Sequence, residues 1–188
     1  MELPSIDQLE QELSHEKYKV NYARAMRSTV YSLVTIAAIA VLVAVLLLPV
    51  MQIYGTSMTP TMEEGDIVVS VKGANLNTGD IVAFYYNNRI LVKRVIAAAG
   101  EWVDMDEDGT VYVNGVRLTE PYVSDLSMGE CDIELPYQVP EARIFVMGDH
   151  RSVSVDSRST TIGCVAEEQI VGKIIFRVWP LSVFGRVS

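Results

Sequence analysis

The chain has 188 residues, of which 15 are basic and 24 acidic, giving a net charge of −9. It has no basic stripe with interleaved aromatic residues, so we expect no nucleic acid among its partners. The two histidines and two cysteines show no spacing that resembles a metal-ligand set, so we expect neither a metal nor another cofactor.

An uncharged apolar segment lies near the N-terminus. It runs from about Thr29 to Leu48, long enough to cross a bilayer core of about 30 Å, and Pro49 closes it. A cleaved signal peptide is the alternative, but its apolar region spans about 7–15 residues after a short leader. We therefore predict an N-terminal segment over 1–28, one transmembrane helix over 29–49 and a single domain over 50–188.

Basic residues flank the apolar segment closely on one side only. Those that precede it are Lys17, Lys19, Arg24 and Arg27. The next basic residue is Lys72, so the positive-inside rule predicts a cytoplasmic N-terminus and places 50–188 on the outer face of the cell membrane. The range 5–27 is compatible with a helix that leads into the apolar segment, and a frayed tail is the alternative.

Beyond Pro49 the sequence pattern is typical of β structure. Short runs rich in β-branched and aromatic residues, bounded by turn signals, predict strands in Asp66–Val71, Asp80–Tyr86, Ile90–Ala99, Arg143–Met147 and Ile170–Trp179. Asn114-Gly115 within Val111–Leu118 predicts a hairpin. The proline-containing range 119–142 shows little periodicity and is predicted to be a loop-rich excursion. The domain is therefore predicted to be mainly β.

Ser57 lies in a segment with the features of a nucleophile loop. Gly55 allows close backbone approach, and Thr59-Pro60-Thr61 predicts a turn. A serine hydroxyl becomes a good nucleophile only when a neighbouring base takes its proton. The alternative is an ordinary loop serine, because turns favour serine in any case.

Lys93 is a candidate for that base. Strand alternation puts Lys93 on one face of its aliphatic strand and Arg94 on the other, and periodicity alone does not say which cation is buried. Burial would lower the pKa of a lysine from about 10.4, whereas an arginine stays protonated. The alternative is an edge lysine whose ammonium group reaches solvent.

A third polar cluster follows the predicted strand Arg143–Met147. The segment Met147–Arg158 is dense in hydrogen-bonding groups and poor in apolar ones. A surface loop is one interpretation. A packed loop with its own hydrogen-bond network is the other, since buried polar groups need partners.

Together the three clusters resemble the bacterial type I signal peptidases, the membrane-anchored Ser–Lys leader peptidases. The segments that carry the resemblance are Gly55–Met62, Gly65–Val68, Lys93–Ile96 with Gly100-Glu101, Gly148–Arg158, Gly172-Lys173 and Phe176–Leu181. The resemblance implies two antiparallel sheets with an apolar rim that touches the bilayer. It also implies partners, namely the signal peptides of exported preproteins, membrane lipid and the protein-export machinery.

The same resemblance implies residue roles. Ser57 would attack the scissile carbonyl to form an acyl-enzyme, Lys93 would be the general base, and Ser154 would orient the lysine by a hydrogen bond. The Ser57 N–H would donate to the oxyanion. Small pockets for alanine-like substrate residues would be lined by Ile53, Met58, Met62, Leu91 and Val92. Structural ion pairs around the site would involve Arg94, Asp149, Asp156 and Arg158.

Two positions depart from the family pattern. His150 stands where the family usually has asparagine. A Ser–His–Asp triad is one interpretation, but a loop residue that replaces an amide is favoured, because Lys93 already occupies the position of the base. Gly55 stands where some members carry a serine that helps the oxyanion hole. Two other functions also compete: an inactive relative that assists surface-polymer (pilus) assembly, and a non-enzymatic anchored β domain. The first is disfavoured because Ser57 and Lys93 are both present, and the second leaves the three clusters unexplained.

Overall fold

The structure is a computed structural model that describes residues 6–187. The uncharged apolar segment and the residues before it form one helix, α1 (Ile6–Leu47). Its 42 residues span about 63 Å, roughly twice a bilayer core. By length and composition, the stretch His15–Leu47 is able to cross a membrane, and no second such helix occurs among residues 6–187.

The chain divides into two units between Leu46 and Leu47. The second unit is built from twelve strands. They are β1 (Val50–Gln52), β2 (Ile67–Val71), β3 (Ile81–Tyr86), β4 (Arg89–Ala97), β5 (Trp102–Met105), β6 (Val111–Val113), β7 (Val116–Arg117), β8 (Tyr137–Gln138), β9 (Arg143–Met147), β10 (Val165–Ala166), β11 (Ile170–Trp179) and β12 (Gly185–Arg186). Two short 3-10 helices, Glu167–Gln169 and Leu181–Val183, lie on either side of β11.

All strand pairings are antiparallel, and they form two sheets. The eight-stranded sheet has the order β1-β2-β11-β3-β4-β9-β10, with β12 paired to β11. The four-stranded sheet has the order β7-β6-β5-β8. The prediction of a mainly β fold with two antiparallel sheets after one apolar helix is therefore confirmed.

Three apolar clusters hold this unit together. One packs Ile96 and Phe145 of the large sheet against Val103 and Val111 of the small sheet. A second includes Ile53, Met58 and Met62 with side chains of β2, β3 and β11, and it lies under the loop that carries Ser57. A third contains Val82, Phe84 and Val95 with residues of β9 and β10. Because apolar clusters cover both of its faces, β4 carries two of its three cations, Lys93 and Arg94, into the interior, while Arg89 at its start is exposed.

Both cysteines carry free thiols. Cys164 is buried in the cluster between the sheets, and Cys131 is partly buried in the excursion. Burial raises the pKa of the Cys164 thiol to about 11, so this thiol stays protonated and unreactive at neutral pH.

Candidate active site

The loop between β1 and β2 carries Ser57 and is fixed by its own turns. Gly55 has a φ of +80°, a left-handed conformation that glycine adopts without strain. The backbone then closes two turns, from Thr59 N–H to the Thr56 carbonyl and from Met62 N–H to the Met58 carbonyl. Met58 and Met62 point into the core beneath. The loop therefore holds Ser57 above an apolar support.

Lys93 lies directly against Ser57. Its Nζ atom is 2.7 Å from Ser57 Oγ, a hydrogen-bonding distance, and the lysine is only 4% exposed. Burial lowers the pKa of Lys93 to about 8, while Asp156 and Asp149 oppose that effect and Arg158 adds to it. A lysine with this pKa is partly neutral near neutral pH. It can therefore accept the proton of a serine hydroxyl.

Arg94, the residue after Lys93 on β4, is also buried, so both of the cations between which alternation could not choose lie in the interior. The Arg94 side chain points away from the Ser57–Lys93 dyad and pairs with the Asp149 carboxylate. Its Nε and Nη2 atoms donate to Asp149 at 2.9 and 2.7 Å, and Nη1 donates to the Gly79 carbonyl. The two parallel hydrogen bonds to one carboxylate compensate for the burial of the guanidinium. The pair joins β4 to the polar segment after β9.

A second buried ion pair organises the polar segment itself. Arg158 donates to both carboxylate oxygens of Asp156, and both side chains are fully buried. Burial acts to raise the pKa of the Asp156 carboxyl, but its hydrogen bonds and charge pairing with Arg158 hold the pKa below its usual range. The charged side chains of the segment therefore form a packed hydrogen-bond network, as the second interpretation predicts, while Val153 and Val155 face solvent.

Ser154 belongs to that network. Its hydroxyl donates to Asp156 Oδ2 at 2.6 Å, and Gly148 N–H donates to the same oxygen at 2.9 Å. A side chain at position 148 would collide with Ser154 Oγ and with the Ser57 carbonyl, so Gly148 lets these two serines approach each other. Because the Ser154 hydroxyl already donates its hydrogen bond to Asp156, the Ser154 oxygen can only accept a hydrogen bond from a neighbouring amine. Its predicted hydrogen bond with Lys93 is not among those formed within residues 6–187.

The same segment also fastens the nucleophile loop. His150 N–H donates to the Ser57 carbonyl at 3.1 Å, and the Thr61 hydroxyl donates to Asp149. His150 Nδ1 lies 2.9 Å from Thr59 Oγ1, whose single proton is given to the Thr56 carbonyl. This contact holds the imidazole ring against the nucleophile loop. These bonds make His150 a neighbour of Thr59, while Lys93 is the group at Ser57 Oγ.

A cleft of about 620 Å³ opens beside the Ser57–Lys93 pair. Its lining comes from two stretches of chain: Met51, Gln52, Ile53, Tyr54, Gly55, Ser57 and Met58 on one side, and Arg89, Ile90, Leu91, Val92 and Lys93 on the other. Among the residues predicted to line the pockets, Ile53, Met58, Leu91 and Val92 line this cleft. Met62 is completely buried and supports the floor from below.

The cleft runs along an open strand edge. Residues 89–94 of β4 pair with β3 on one side, but β9 pairs with β4 only from Arg94 onward. The edge from Arg89 to Lys93 therefore faces the cleft. An extended peptide laid in the cleft has unpaired backbone groups to bind, as in strand addition at a sheet edge.

Sequence reasoning missed several residues that the structure places at the site. Arg89, Tyr54 and Met51 line the cleft, and Thr59 and Thr61 tie the loops together. Thr59 and Thr61 lie in the segment Gly55–Met62 that carries the resemblance, but the sequence assigns them no role beyond a turn, and nothing in their spacing indicates contacts about 90 residues away. Within residues 6–187, no group of three His, Cys, Asp or Glu side chains is arranged to hold a metal ion.

A serine hydroxyl at hydrogen-bonding distance from a buried lysine, beside an apolar cleft with an open strand edge, is the arrangement expected of a serine peptidase. The sequence matches the family described as signal peptidase, peptidase S26, over residues 26–179. This match covers most of the chain, and the chain therefore belongs to the S26 family of signal peptidases.

Two relatives identified by sequence support this assignment. The chain is 39% identical over 152 residues to signal peptidase IB of Staphylococcus aureus strain COL, covering 70% of this chain and 78% of that protein. It is 34% identical over 144 residues to thylakoidal processing peptidase 1 of Arabidopsis thaliana, covering 68% of this chain and 41% of that protein. A signal peptidase I structure from Enterococcus faecalis aligns at 31% identity with a TM-score of 0.44, covering 53% of this chain and 97% of that one.

Proposed function

We propose that this chain is a membrane-anchored serine endopeptidase that removes signal peptides from exported preproteins by means of a Ser57–Lys93 dyad. The observation that carries the proposal is the distance of 2.7 Å between Lys93 Nζ and Ser57 Oγ at the edge of the apolar cleft. Membership of the signal peptidase family supplies the substrate class.

The reaction proceeds in two halves. Neutral Lys93 takes the Ser57 hydroxyl proton as Ser57 Oγ attacks the scissile carbonyl, and the Ser57 N–H donates to the oxyanion that develops. The lysine then gives its proton to the leaving amine, which departs as the new N-terminus of the mature protein. An ester to Ser57 remains. In the second half Lys93 deprotonates a water molecule that hydrolyses this ester and restores the serine.

The cleft accounts for binding of the segment before the cut. The signal peptide lies as an added strand against Arg89–Lys93, so its backbone bonds to the open edge and alternate side chains face the floor. That floor is apolar and is made by Ile53, Met58, Leu91 and Val92. Alanine-sized residues at the first and third positions before the cut fit small sites on it.

Ser154 has a supporting role in this mechanism. Its oxygen accepts a hydrogen bond from the Lys93 amine once substrate has entered, while its own hydroxyl continues to donate to Asp156 Oδ2. Asp156 is in turn fixed by Arg158. The amine then has a defined orientation toward Ser57.

The membrane arrangement follows from the same proposal. The apolar segment 29–49, helical up to Leu47, anchors the chain with 1–28 in the cytoplasm, since the basic residues near the apolar segment lie before it. The catalytic domain, 50–188, faces outward, where exported preproteins emerge. Its partners there are membrane lipid and the protein-export machinery. The alternative of an inactive pilus-assembly protein is not favoured, because the serine and lysine are both present and in contact.

Cleavage of a model preprotein by the purified full chain in detergent tests the proposal. We expect Ser57→Ala, Lys93→Ala and Lys93→Arg to lose cleavage, the last because a guanidinium stays protonated. Ser124→Ala and Lys72→Ala change the same residue types at exposed positions and should keep full activity. Full activity in Ser57→Ala or in Lys93→Ala would contradict the assignment of Ser57 and Lys93 as the catalytic dyad.

A further inference from the structure

The first residues of the excursion, Thr119–Val123, lie outside the cleft but reach both parts of the catalytic apparatus. Glu120 accepts hydrogen bonds from Nη1 and Nη2 of Arg151. The side chains are 5% and 0% exposed respectively. A carboxylate and a guanidinium at this depth are expensive to desolvate, and their pairing is what makes the burial tolerable.

Tyr122 makes a second contact of the same kind. Arg94 Cζ lies 3.7 Å from the centroid of the Tyr122 ring, within the range of a cation–π interaction. The Tyr122 hydroxyl donates to Glu120 Oε1 at 3.1 Å. Burial and the Glu120 carboxylate raise the pKa of Tyr122, so the hydroxyl keeps its proton for that bond. Glu120 and Tyr122 thus form one connected unit that touches two buried arginines.

Each arginine supports one half of the dyad. Arg94 follows Lys93 on β4 and is held between the Tyr122 ring and the Asp149 carboxylate. Arg151 Nε donates to the Gly148 carbonyl at 3.2 Å, and Gly148 lies against the Ser57 carbonyl. The segment Thr119–Val123 therefore contacts the arginine that follows Lys93 on β4 and the arginine that fixes the backbone next to Ser57.

We propose that Glu120 and Tyr122 are positioning residues that set the relative placement of Lys93 and Ser57 through Arg94 and Arg151. The proposal rests on the dyad function assigned above. Neither residue lines the cleft, so neither contacts the substrate there. Their loss changes the rate of the chemical step, because a small displacement of reacting groups is costly, and it leaves substrate binding nearly intact.

The Tyr122 ring and its hydroxyl have separable contributions. Tyr122→Leu removes the aromatic face over Arg94, whereas Tyr122→Phe keeps that face and removes only the bond to Glu120. Glu120→Gln keeps the volume but removes the charge that pairs with Arg151. Glu134→Gln makes the same charge change at an exposed position of the same excursion and serves as the matched control.

Steady-state cleavage of a model preprotein by the full chain in detergent tests the proposal, with turnover expressed per folded molecule. We expect Tyr122→Leu to lower kcat about tenfold, with KM within about twofold of the unsubstituted chain. Tyr122→Phe should keep kcat within about threefold, and Glu120→Gln should lower it about fivefold. Glu134→Gln should match the unsubstituted chain.

The possible outcomes distinguish a failure of the positioning role from a failure of the proposed peptidase function. If the unsubstituted chain cleaves and both Tyr122→Leu and Glu120→Gln keep its kcat per folded molecule, only the positioning role is overturned. A rise in KM with unchanged kcat also overturns it, since that marks a binding role. Where Tyr122→Leu does not fold, the isosteric Glu120→Gln decides. No cleavage by the unsubstituted chain would overturn the dyad and this proposal together.

Discussion

Replacing Lys93 by methionine should abolish cleavage and at the same time stabilise the protein. The two side chains are similar in length, so Lys93→Met fills the buried site without a charge. The pKa of Lys93 is about 8 when folded and about 10.4 in an unfolded chain, a difference that corresponds to about 3 kcal/mol. At pH 7 this amount lowers the free energy of unfolding, because the buried lysine is mostly charged in the folded chain. Loss of the bond to Ser57 offsets about 1 kcal/mol, which leaves a net gain of about 2 kcal/mol.

The sign of the pH dependence follows from linkage. Between pH 8 and pH 10.4 the unfolded chain retains the Lys93 proton and the folded chain has lost it, so the stability of the unsubstituted protein rises with pH. The advantage of Lys93→Met should therefore shrink to within about 1 kcal/mol at pH 10. Other lysines titrate equally in both proteins and cancel in the difference.

Urea unfolding of the full chain in detergent, followed by tryptophan fluorescence, measures this effect. Trp102 and Trp179 both lie in the β unit, so the signal reports on that unit. Lys72→Met, at an exposed lysine, is the control and should change stability little at either pH. A Lys93→Met protein that is no more stable at pH 7, or whose difference from the unsubstituted chain is the same at pH 7 and pH 10, would refute the account of a desolvated lysine.

Further predictions concern the surroundings of the dyad and the membrane arrangement. Ser154→Ala should lower kcat about tenfold with little change in KM, and steady-state kinetics showing a pure KM effect would remove its orienting role. Asp156→Asn should cost about 3–5 kcal/mol in urea unfolding, because it leaves the buried Arg158 charge uncompensated, and a loss below 1 kcal/mol would contradict that. His150→Asn should keep most of the cleavage activity because an amide side chain can also hydrogen-bond Thr59, whereas a loss as complete as in Lys93→Ala would favour a histidine base. Protease added to intact protoplasts should digest the β unit, and protection of that unit with cleavage of the N-terminal segment would reverse the proposed orientation.

The longer strands were predictable from the sequence because their residues are β-branched or aromatic and turns bound them. The structure gives Arg143–Met147 the predicted bounds, and Ile170–Trp179 likewise. The strands that sequence reasoning missed, such as Val50–Gln52, Trp102–Met105 and Tyr137–Gln138, have two to four residues. Such strands are too short to show a period, and their pairing partners fix them.

The site was predictable in its composition but not in its geometry. Motif resemblance singled out Ser57 and Lys93, yet only the antiparallel pairing of β4 with β3 and the loop above it bring the two atoms together. Alternation could not choose between Lys93 and Arg94, and both are buried because apolar clusters cover both faces of β4. Glu120 and Tyr122 escaped notice because a proline-containing loop carries no periodic signal that indicates its tertiary contacts.

The most direct test of the central claim is a titration of Lys93 itself. NMR of the full chain labelled at lysine Cε and Nζ, in detergent, gives its midpoint, and the Lys93→Met spectrum identifies the signal by its loss. The account predicts a midpoint near pH 8 that coincides with the acidic limb of kcat/KM for preprotein cleavage. A midpoint near the free value of about 10.4, with cleavage still fast at neutral pH, would mean that Lys93 is not the base.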